Sequence, residues 1–280
     1  TRLNRLPGGE RGRDDLAETT WGLGANWTVG GALSLFASAH EGFAPPRVED
    51  LIAGNGTSTT VDAEQSLNLE AGVRARWQGI DIEATAFRND FDNQVVVGSI
   101  AGGSTPLAQG ETEYAGLEFA AGFNRGALQR RAGEFYANLA VTWLGTADQS
   151  TALRRVDTGQ PANGSVAGNR LPYAPELATT FRLGYVRGAW DGSVEVQQVG
   201  RQWADFANTR HPAANGDGQF GELDGYAAWS ATLNWTPENS AWSAYVAAKN
   251  LTDRTYIVDR TRGILFGNPR QVVAGVRYDW

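Results

Sequence analysis

The fold of this chain is decided by the segment Ser66–Trp77, which reads SLNLEAGVRARW. Apolar and polar residues alternate along it with a period of two. One side carries Leu, Ala, Val and Trp at positions 67, 69, 71, 73, 75 and 77, and the other carries Asn68, Glu70, Arg74 and Arg76. Successive side chains of a β-strand point to opposite faces, so this period is typical of a strand. The segment therefore predicts a strand with one apolar face and one charged face.

The same alternation recurs along most of the chain. The further runs are Trp21–Val29, Leu33–Ala39, Ile80–Ala86, Tyr114–Asn124, Phe135–Trp143, Leu177–Tyr185, Trp190–Val196, Leu223–Trp235, Trp242–Ala248 and Val272–Trp280. Together they predict about eleven strands of roughly ten residues, which is the length that crosses a bilayer at a tilt.

Short and long connections alternate between these runs. Short turns are predicted at Gly30–Gly31, Gln78–Gly79, Arg125–Gly133, Arg187–Gly188 and Pro237–Asn239. Long polar connections are predicted at His40–Asp62, Phe91–Glu111, Thr146–Ala174, Asp205–Glu222 and Thr252–Gly267. Outer-membrane barrels place short turns at the periplasmic rim and long loops outside. The alternation favours an all-β, antiparallel transmembrane β-barrel over a soluble β-sandwich, which mixes loop lengths.

The positions of the aromatic residues support the barrel. Near the strand ends, the apolar face carries aromatic rings at Trp21, Trp27, Trp190, Trp229, Trp235, Trp242, Tyr278 and Trp280. Aromatic girdles at both interfaces, with small aliphatic residues between them, are typical of membrane barrels. The opposite face carries Glu70, Arg74, Arg76, Glu83, Glu118, Arg182, Glu195, Arg201 and Arg277. Such charges are costly in a dry core, but they suit a lumen filled by water or by a plug.

Composition narrows the class further. Mean hydropathy is −0.36, and no stretch approaches the roughly 20 consecutive apolar residues of a spanning helix. The net charge of −7 argues against nucleic acid as a partner. The chain has neither Cys nor Met, so it offers no thiolate metal site and does not begin at a start codon.

The strand count predicts a fragment. Single-chain bacterial barrels have an even number of strands because both termini lie on the periplasmic side. Here the polar segment Thr1–Glu18 precedes the first strand, and the last strand ends the chain. We therefore expect residues 1–280 to form about half of a barrel.

Several segments resemble the TonB-dependent outer-membrane receptors. Residues 249–256 (KNLTDRTY) are similar to the NLFD-x-x-Y segment of that family, and residues 267–270 (GNPR) to its G-x-PR. Residues 36–46 (FASAHEGFAPP) resemble Y-x-S-x-S-x-G-F-R-x-P, although His40 and Ala44 depart from that pattern, and residues 114–118 (YAGLE) match Y-x-G-x-E. The order and spacing of these motifs place the chain in the carboxy-terminal half of the family's 22-stranded barrel.

The resemblance implies a function in import. It implies active, TonB-dependent uptake across the outer membrane of a Gram-negative bacterium, with a plug domain and the first barrel strands absent from this chain. Residues 263–270 (GILFGNPR) are most similar to the ferric-dicitrate and ferric-siderophore receptors, which implies a ferric chelate as cargo. Cobalamin, haem, a nickel chelate or a saccharide remains open as the cargo, and so does a passive porin.

The resemblance also implies partners. These are the TonB energy-transducing complex, reached through the absent plug, outer-membrane lipid with lipopolysaccharide, and the barrel-assembly machinery. The final strand, with Val276, Tyr278 and Trp280, resembles the carboxy-terminal signal that this machinery recognises.

The sequence gives little reason to expect an enzyme. Its two histidines, His40 and His211, fall in predicted loops without a nucleophile motif such as G-x-S-x-G. Two isolated histidines and no Cys make no known metal-ligand spacing. We expect no catalytic residue, no metal site and no cofactor.

Capture of a ligand at the outer mouth is the site class that the sequence favours. The guanidinium group of Arg binds a carboxylate through two parallel hydrogen bonds, and aromatic rings offer a surface on which a ligand can stack. The candidate loop residues are Arg154, Arg155, Arg170, Tyr173, Arg201, Trp203, Arg210, His211, Arg260 and Arg262. The alternative for each of these is an ordinary solvated or lipopolysaccharide-facing loop residue.

Overall fold

A computed structural model describes residues 18–45, 62–97, 107–124, 133–155, 159–162, 164–211 and 216–280. The predicted turn Arg125–Gly133 and the amino-terminal segment Thr1–Glu18 lie almost entirely outside these residues. Across these ranges no helix is long and apolar enough to cross a membrane.

The described chain is built from antiparallel strands. They are β1 (Gly22–Val29), β2 (Leu33–Ala44), β3 (Glu64–Trp77), β4 (Ile80–Val97), β5 (Leu107–Asn124), β6 (Glu134–Gln149), β7 (Arg154–Arg155), β8 (Leu177–Arg187), β9 (Trp190–Val199), β10 (Gln202–Trp203), β11 (Glu222–Leu223), β12 (Tyr226–Trp235), β13 (Trp242–Lys249), β14 (Ile257–Asp259), β15 (Leu265–Phe266) and β16 (Gln271–Tyr278). The long strands form one sheet in the order β1-β2-β3-β4-β5-β6-β8-β9-β12-β13-β16, and β7 pairs with β5. The prediction of eleven long antiparallel strands is confirmed.

The register keeps one kind of side chain on each face of the sheet. Leu35 pairs with Val73, which pairs with Ala84, and the same row continues to Phe119 and Val141. Because the side-chain period is two, this pairing keeps the alternate residues of every strand on the same side. We call this side the apolar face and the other the polar face.

The two faces meet different surroundings. On the apolar face large side chains are exposed, including Leu117, Leu183, Val194 and Leu233. Aromatic pairs lie along its short-turn edge, among them Trp190 with Trp235, whose ring centroids are 6.4 Å apart. The polar face lines a concavity of about 700 Å³ that extends from β1 to β9. The sheet therefore curves toward its polar face, as the wall of a barrel does.

The short turns follow the chemistry of tight hairpins. Gln78 and Gly79 have φ values of 44° and 83°, and Gly30 and Gly31 have values of 62° and 77°. Positive φ at consecutive turn residues matches the twist of the flanking strands and strongly favours Gly. These turns fix the register between β1 and β2 and between β3 and β4.

Some predicted boundaries are wrong. β4 and β5 continue through the predicted loop Phe91–Glu111 as far as the pair Val97 and Leu107, with an irregularity between Phe91 and Gln94. Likewise β2 and β6 extend into the predicted loops His40–Asp62 and Thr146–Ala174. Hydropathy alternates only where one face meets lipid, whereas backbone pairing continues beyond it. The sequence pattern therefore marks the membrane-contacting part of each strand.

The predicted run Leu223–Trp235 is not a single strand. Leu223 belongs to β11, which pairs with β10, and β12 begins at Tyr226. Leu223 is fully buried beneath the loops. Leu223 is an apolar residue that is buried within the loops. The period-two pattern cannot distinguish it from a residue of the membrane strand, so the sequence analysis assigned it to that strand.

The orientation of the faces makes a testable prediction within one strand. Leu233 of β12 is 45% exposed on the apolar face, so Leu233→Arg places a charge in lipid. This costs about 2–4 kcal/mol near the bilayer midplane and less toward the interfaces. We expect a marked loss of assembled protein in outer-membrane fractions, measured by heat-modifiable gel migration of the full-length protein.

The matched control is Ser230→Arg on the polar face of the same strand, opposite Glu195. Its assembly should stay near that of the wild type. Equal losses for both variants would show that the apolar face is not the one that contacts lipid.

Candidate functional site

Three loops at the long-loop end of the sheet form the candidate site. We call the described parts of residues 150–176 loop A, those of 200–225 loop B and residues 250–270 loop C. They follow β6, β9 and β13 respectively. All ten residues proposed from the sequence as ligand contacts lie in these loops.

Loops A and B share a small hydrophobic core. Leu153, Ala162, Leu171 and Ala174 of loop A are buried together with Phe206 of loop B. Ala147 of β6 completes this cluster, and Leu144 and Tyr114 pack against it. The core makes loops A and B a packed unit that stands on the sheet.

Polar side chains join the same two loops. Gln149 Nε2 at the end of β6 and Asn169 Nδ2 of loop A both donate to the carbonyl of Phe206 in loop B, at 2.9 and 3.0 Å. Asn208 accepts from the Arg170 amide at 2.8 Å and donates to the Arg170 carbonyl at 2.7 Å. The buried carboxylate of Asp205 accepts from Thr209 and from the amide of Gly221. These bonds satisfy backbone groups that the loop core removes from water.

Arg170 has a structural place in this unit. Its Nε donates to the Ala174 carbonyl at 2.8 Å, and its Nη2 donates to the Leu144 carbonyl at 2.7 Å. Burial lowers the pKa of Arg170, while the charges of Asp148 and Glu176 oppose this shift. Two of its guanidinium nitrogens are thus committed to the backbone.

Tyr173 connects all three loops. Its amide donates to the Trp203 carbonyl of loop B at 2.8 Å. Its hydroxyl accepts from the Arg260 amide of loop C at 3.0 Å and also bonds to the carboxylate of Asp259. Burial, aided by Asp259, raises the pKa of Tyr173 to about 12. The hydroxyl therefore keeps its proton for the bond to Asp259.

Arg260 is partly buried between loops. Its Nη1 donates to the Gly218 carbonyl of loop B at 2.9 Å. Its Nε is buried and has no hydrogen-bond partner in the described part of the chain. Tyr173, Trp203 and Arg260, chosen separately from the sequence, are thus brought together by the fold.

The other sequence candidates have different surroundings. Arg201 forms an ion pair with Glu222 at 3.0 Å, and Arg154 donates to the Gly159 carbonyl at 2.9 Å. Arg155 lies in β7 beside β5. Arg210, His211 and Arg262 are exposed at the loop surface. Arg210 and Arg262 make no ion pair within the described residues, so their guanidinium groups are available to a ligand.

The sequence analysis missed the residues that organise these loops. Asp205 and Asn208 bind loop backbone, and Asn250 binds the carbonyls of Arg254 and Asn268. Asn250 and Asn208 have φ values of 48° and 52°, a conformation that Asn tolerates better than most residues. For Asn250, its place in the KNLTDRTY motif was an available signal.

A second missed feature is an aromatic stack at the base of loop C. The rings of Tyr226 and Tyr256 are 4.0 Å apart and nearly parallel, at 20°. A Cβ at Gly267 would lie 2.3 Å from the Tyr256 ring, so Gly267 leaves room for that ring. No local sequence pattern relates residues thirty positions apart.

Below the loops, the polar face carries cross-strand ion pairs. Arg74 pairs with Glu83 at 2.9 Å, and Arg182 pairs with Glu195 at 2.7 Å. Glu70 also attracts Arg74 electrostatically, and Glu118 lies on the same face between Thr85 and Thr142. In the same residues no cluster of three or more His, Cys, Asp or Glu could hold a metal ion.

The final strand places its proposed assembly residues on the apolar face. Val276 pairs with Ala244 and Tyr278 with Trp242, whose ring lies 4.8 Å from that of Tyr278. Trp280 follows the end of the strand and is fully exposed.

A curved antiparallel sheet with an exposed apolar face and a charged concave face defines a membrane β-barrel wall. The chain belongs to the family described as TonB dependent receptor-like, beta-barrel, which matches residues 3–251. Members of this family lie in the outer membrane of Gram-negative bacteria, and so does this protein.

Individual relatives are distant. The vitamin B12 transporter BtuB of Photobacterium profundum is 20% identical over 251 residues, which cover 88% of this chain and 36% of the relative. The ferric citrate transporter FecA, unliganded, has a TM-score of 0.68 at 22% identity, covering 92% of this chain and 38% of that one. The siderophore receptor PiuA from Acinetobacter baumannii has a TM-score of 0.70 at 17% identity, covering 92% and 35%. The chain thus spans little more than a third of the length of these relatives.

The contacts of Arg170 predict a structural phenotype. Arg170→Ala removes two charged hydrogen bonds to backbone carbonyls, and bonds of this kind contribute about 1.5–3 kcal/mol each when buried. Because Arg170 is only partly buried, we expect the stability lost with each of these bonds to lie toward the lower end of this range. Hydrogen exchange across residues 164–176 of the full-length protein should be faster.

Arg210→Ala is the matched control, because Arg210 is an exposed arginine of loop B. It should leave exchange across residues 164–176 unchanged. If Arg170→Ala and Arg210→Ala give the same exchange rates across residues 164–176, the Arg170 contacts do not stabilise loop A.

Proposed function

We propose that this chain is the carboxy-terminal portion of the barrel of a TonB-dependent importer, and that its cargo is a ferric chelate such as ferric citrate or a siderophore complex. The supporting observation is the arrangement of the long-loop end. Arg210 of loop B and Arg262 of loop C are exposed there, in the two loops that Tyr173 joins to loop A.

Charge is the reason for preferring an anionic chelate. Ferric chelates built from carboxylates carry negative charge, and the planar guanidinium group binds carboxylates through paired hydrogen bonds. In this proposal Arg210 and Arg262 contact the cargo directly. Arg154, Arg170 and Arg201 serve the loop structure, because their side chains already bind protein groups.

The names of similar proteins are consistent with this cargo. Solved structures with the same fold include a ferric citrate transporter and siderophore receptors. A second candidate is cobalamin, because curated relatives from two species are named as vitamin B12 transporters.

A plug domain encoded outside these residues is part of the proposal. The concave face carries Glu118 between the uncharged residues Thr85 and Thr142, and an inserted domain could supply a cation to it. The plug would carry the contact with the TonB complex. The exposed apolar face would meet lipid and lipopolysaccharide, and Val276, Tyr278 and Trp280 would be read by the barrel-assembly machinery.

We propose no catalytic role. His40 lies on β2 and His211 in loop B, and no nucleophile motif surrounds either residue. The exposed loop arginines and the charged lumen wall suit transport better than hydrolysis.

The test is uptake by a strain that has this receptor as its only candidate importer. Radioiron-labelled ferric citrate, a ferric hydroxamate and labelled cyanocobalamin are supplied separately, with and without a protonophore. We expect uptake of one ferric chelate that the protonophore abolishes. Protonophore-resistant uptake indicates a porin, and uptake of cyanocobalamin alone indicates the second candidate.

The role of the exposed arginines is tested with the double variant Arg210→Ala, Arg262→Ala. Loss of charged hydrogen bonds should weaken binding of the transported chelate by about tenfold or more. The control is Arg277→Ala, which removes an exposed arginine at the opposite rim. Unchanged affinity in the double variant would refute the assignment of Arg210 and Arg262, while the transport result stands on its own.

A further inference from the structure

The joint between loops A and B is redundant. It combines the buried core around Leu153 and Phe206 with hydrogen bonds from Gln149, Asn169 and Asn208. Two of these side chains donate to the same carbonyl, so loss of one leaves the other in place. Regions with dense buried contacts open only at high free energy.

The outer part of loop C is attached by fewer contacts, among them the Ile264 side chain, which lies close to Gly218 of loop B. Residues 257–266 contain the short pair β14–β15. Their described hydrogen bonds to loops A and B are those of Arg260 and Asp259 to the Tyr173 hydroxyl and of Arg260 to the Gly218 carbonyl. The base of loop C is held separately, by Arg254 on the Gly225 carbonyl and by the stack of Tyr256 on Tyr226.

One feature of this attachment lowers its stability. The Nε of Arg260 is buried without a partner among the described residues, and opening would return this donor to water. Tyr173 itself stays in place when loop C opens, because its amide bonds to the Trp203 carbonyl within the unit of loops A and B.

We propose that Tyr173 is a releasable latch, which fastens the outer part of loop C to the rigid unit of loops A and B so that residues 257–266 open alone. The segment that opens carries the exposed side chains of Arg262, Ile264, Leu265 and Phe266. The latch thus sets where these cationic and apolar groups lie relative to loops A and B. This inference is independent of the identity of the cargo.

Hydrogen exchange of the full-length protein in detergent micelles tests the latch. Tyr173→Phe keeps the ring and removes both bonds of the hydroxyl. We expect exchange across residues 261–266 to rise about tenfold or more, as the loss of two net hydrogen bonds predicts. Exchange across residues 203–211 of loop B should change by less than about twofold in the same sample. Residues 261–266 exclude the Arg260 amide, which loses its own acceptor.

Two matched variants separate the latch from general loosening. Asn169→Ala removes one of the two side-chain donors to the Phe206 carbonyl and leaves Gln149 in place, so exchange of 203–211 should remain slow. Tyr226→Phe removes a hydroxyl from the ring that stacks on loop C and should leave 261–266 unchanged. The inference is overturned if Tyr173→Phe leaves 261–266 unchanged, if loop B opens together with loop C, or if Tyr226→Phe has the same effect as Tyr173→Phe.

Discussion

The structure depends on one constraint, which is that backbone amides and carbonyls have no partner in lipid. Each strand must therefore bond to a neighbour on both sides. The strands from β2 to β13 on the path of the main sheet do so, and β1 and β16 each have one neighbour among the described strands. Side chains follow from that pairing. The register keeps alternate residues of every strand on the outer side, so Leu and Val meet lipid. On the concave face Arg74 pairs with Glu83, and Arg182 pairs with Glu195.

This constraint no longer applies where the strands leave the membrane, and the loops beyond them are stabilised by a core of their own. Loops A and B have their own core, and buried polar side chains such as Asp205 and Gln149 satisfy the backbone that this core covers. The loop end thus resembles a small soluble domain supported by a membrane wall. Its arginines divide accordingly, because Arg170 is bound to loop carbonyls whereas Arg210 and Arg262 remain exposed.

Sequence alone predicted the sheet well, because the alternation within a membrane strand and the residues of its tight turns are both local features. Alternation over Ser66–Trp77 and its repeats reports which face meets lipid, and the Gly-containing turns report the hairpins. The strand ends were missed, as in β4 and β5, because pairing outside the membrane leaves no trace in hydropathy. Leu223 was misassigned for a related reason, since burial in a loop core and exposure to lipid select the same side chain.

For the candidate site, the sequence determined which residue types were available, and it correctly placed them at one end of the barrel. Only the tertiary structure decided which of these side chains bind other protein groups and which remain exposed. The contacts of Tyr173 with Trp203 and Arg260 join positions 30 to 87 residues apart, and the stack of Tyr226 on Tyr256 joins the start of β12 to loop C. Such contacts arise from the order in which neighbouring strands bring their loops together. Because that order is a property of the whole sheet, no local pattern could reveal it.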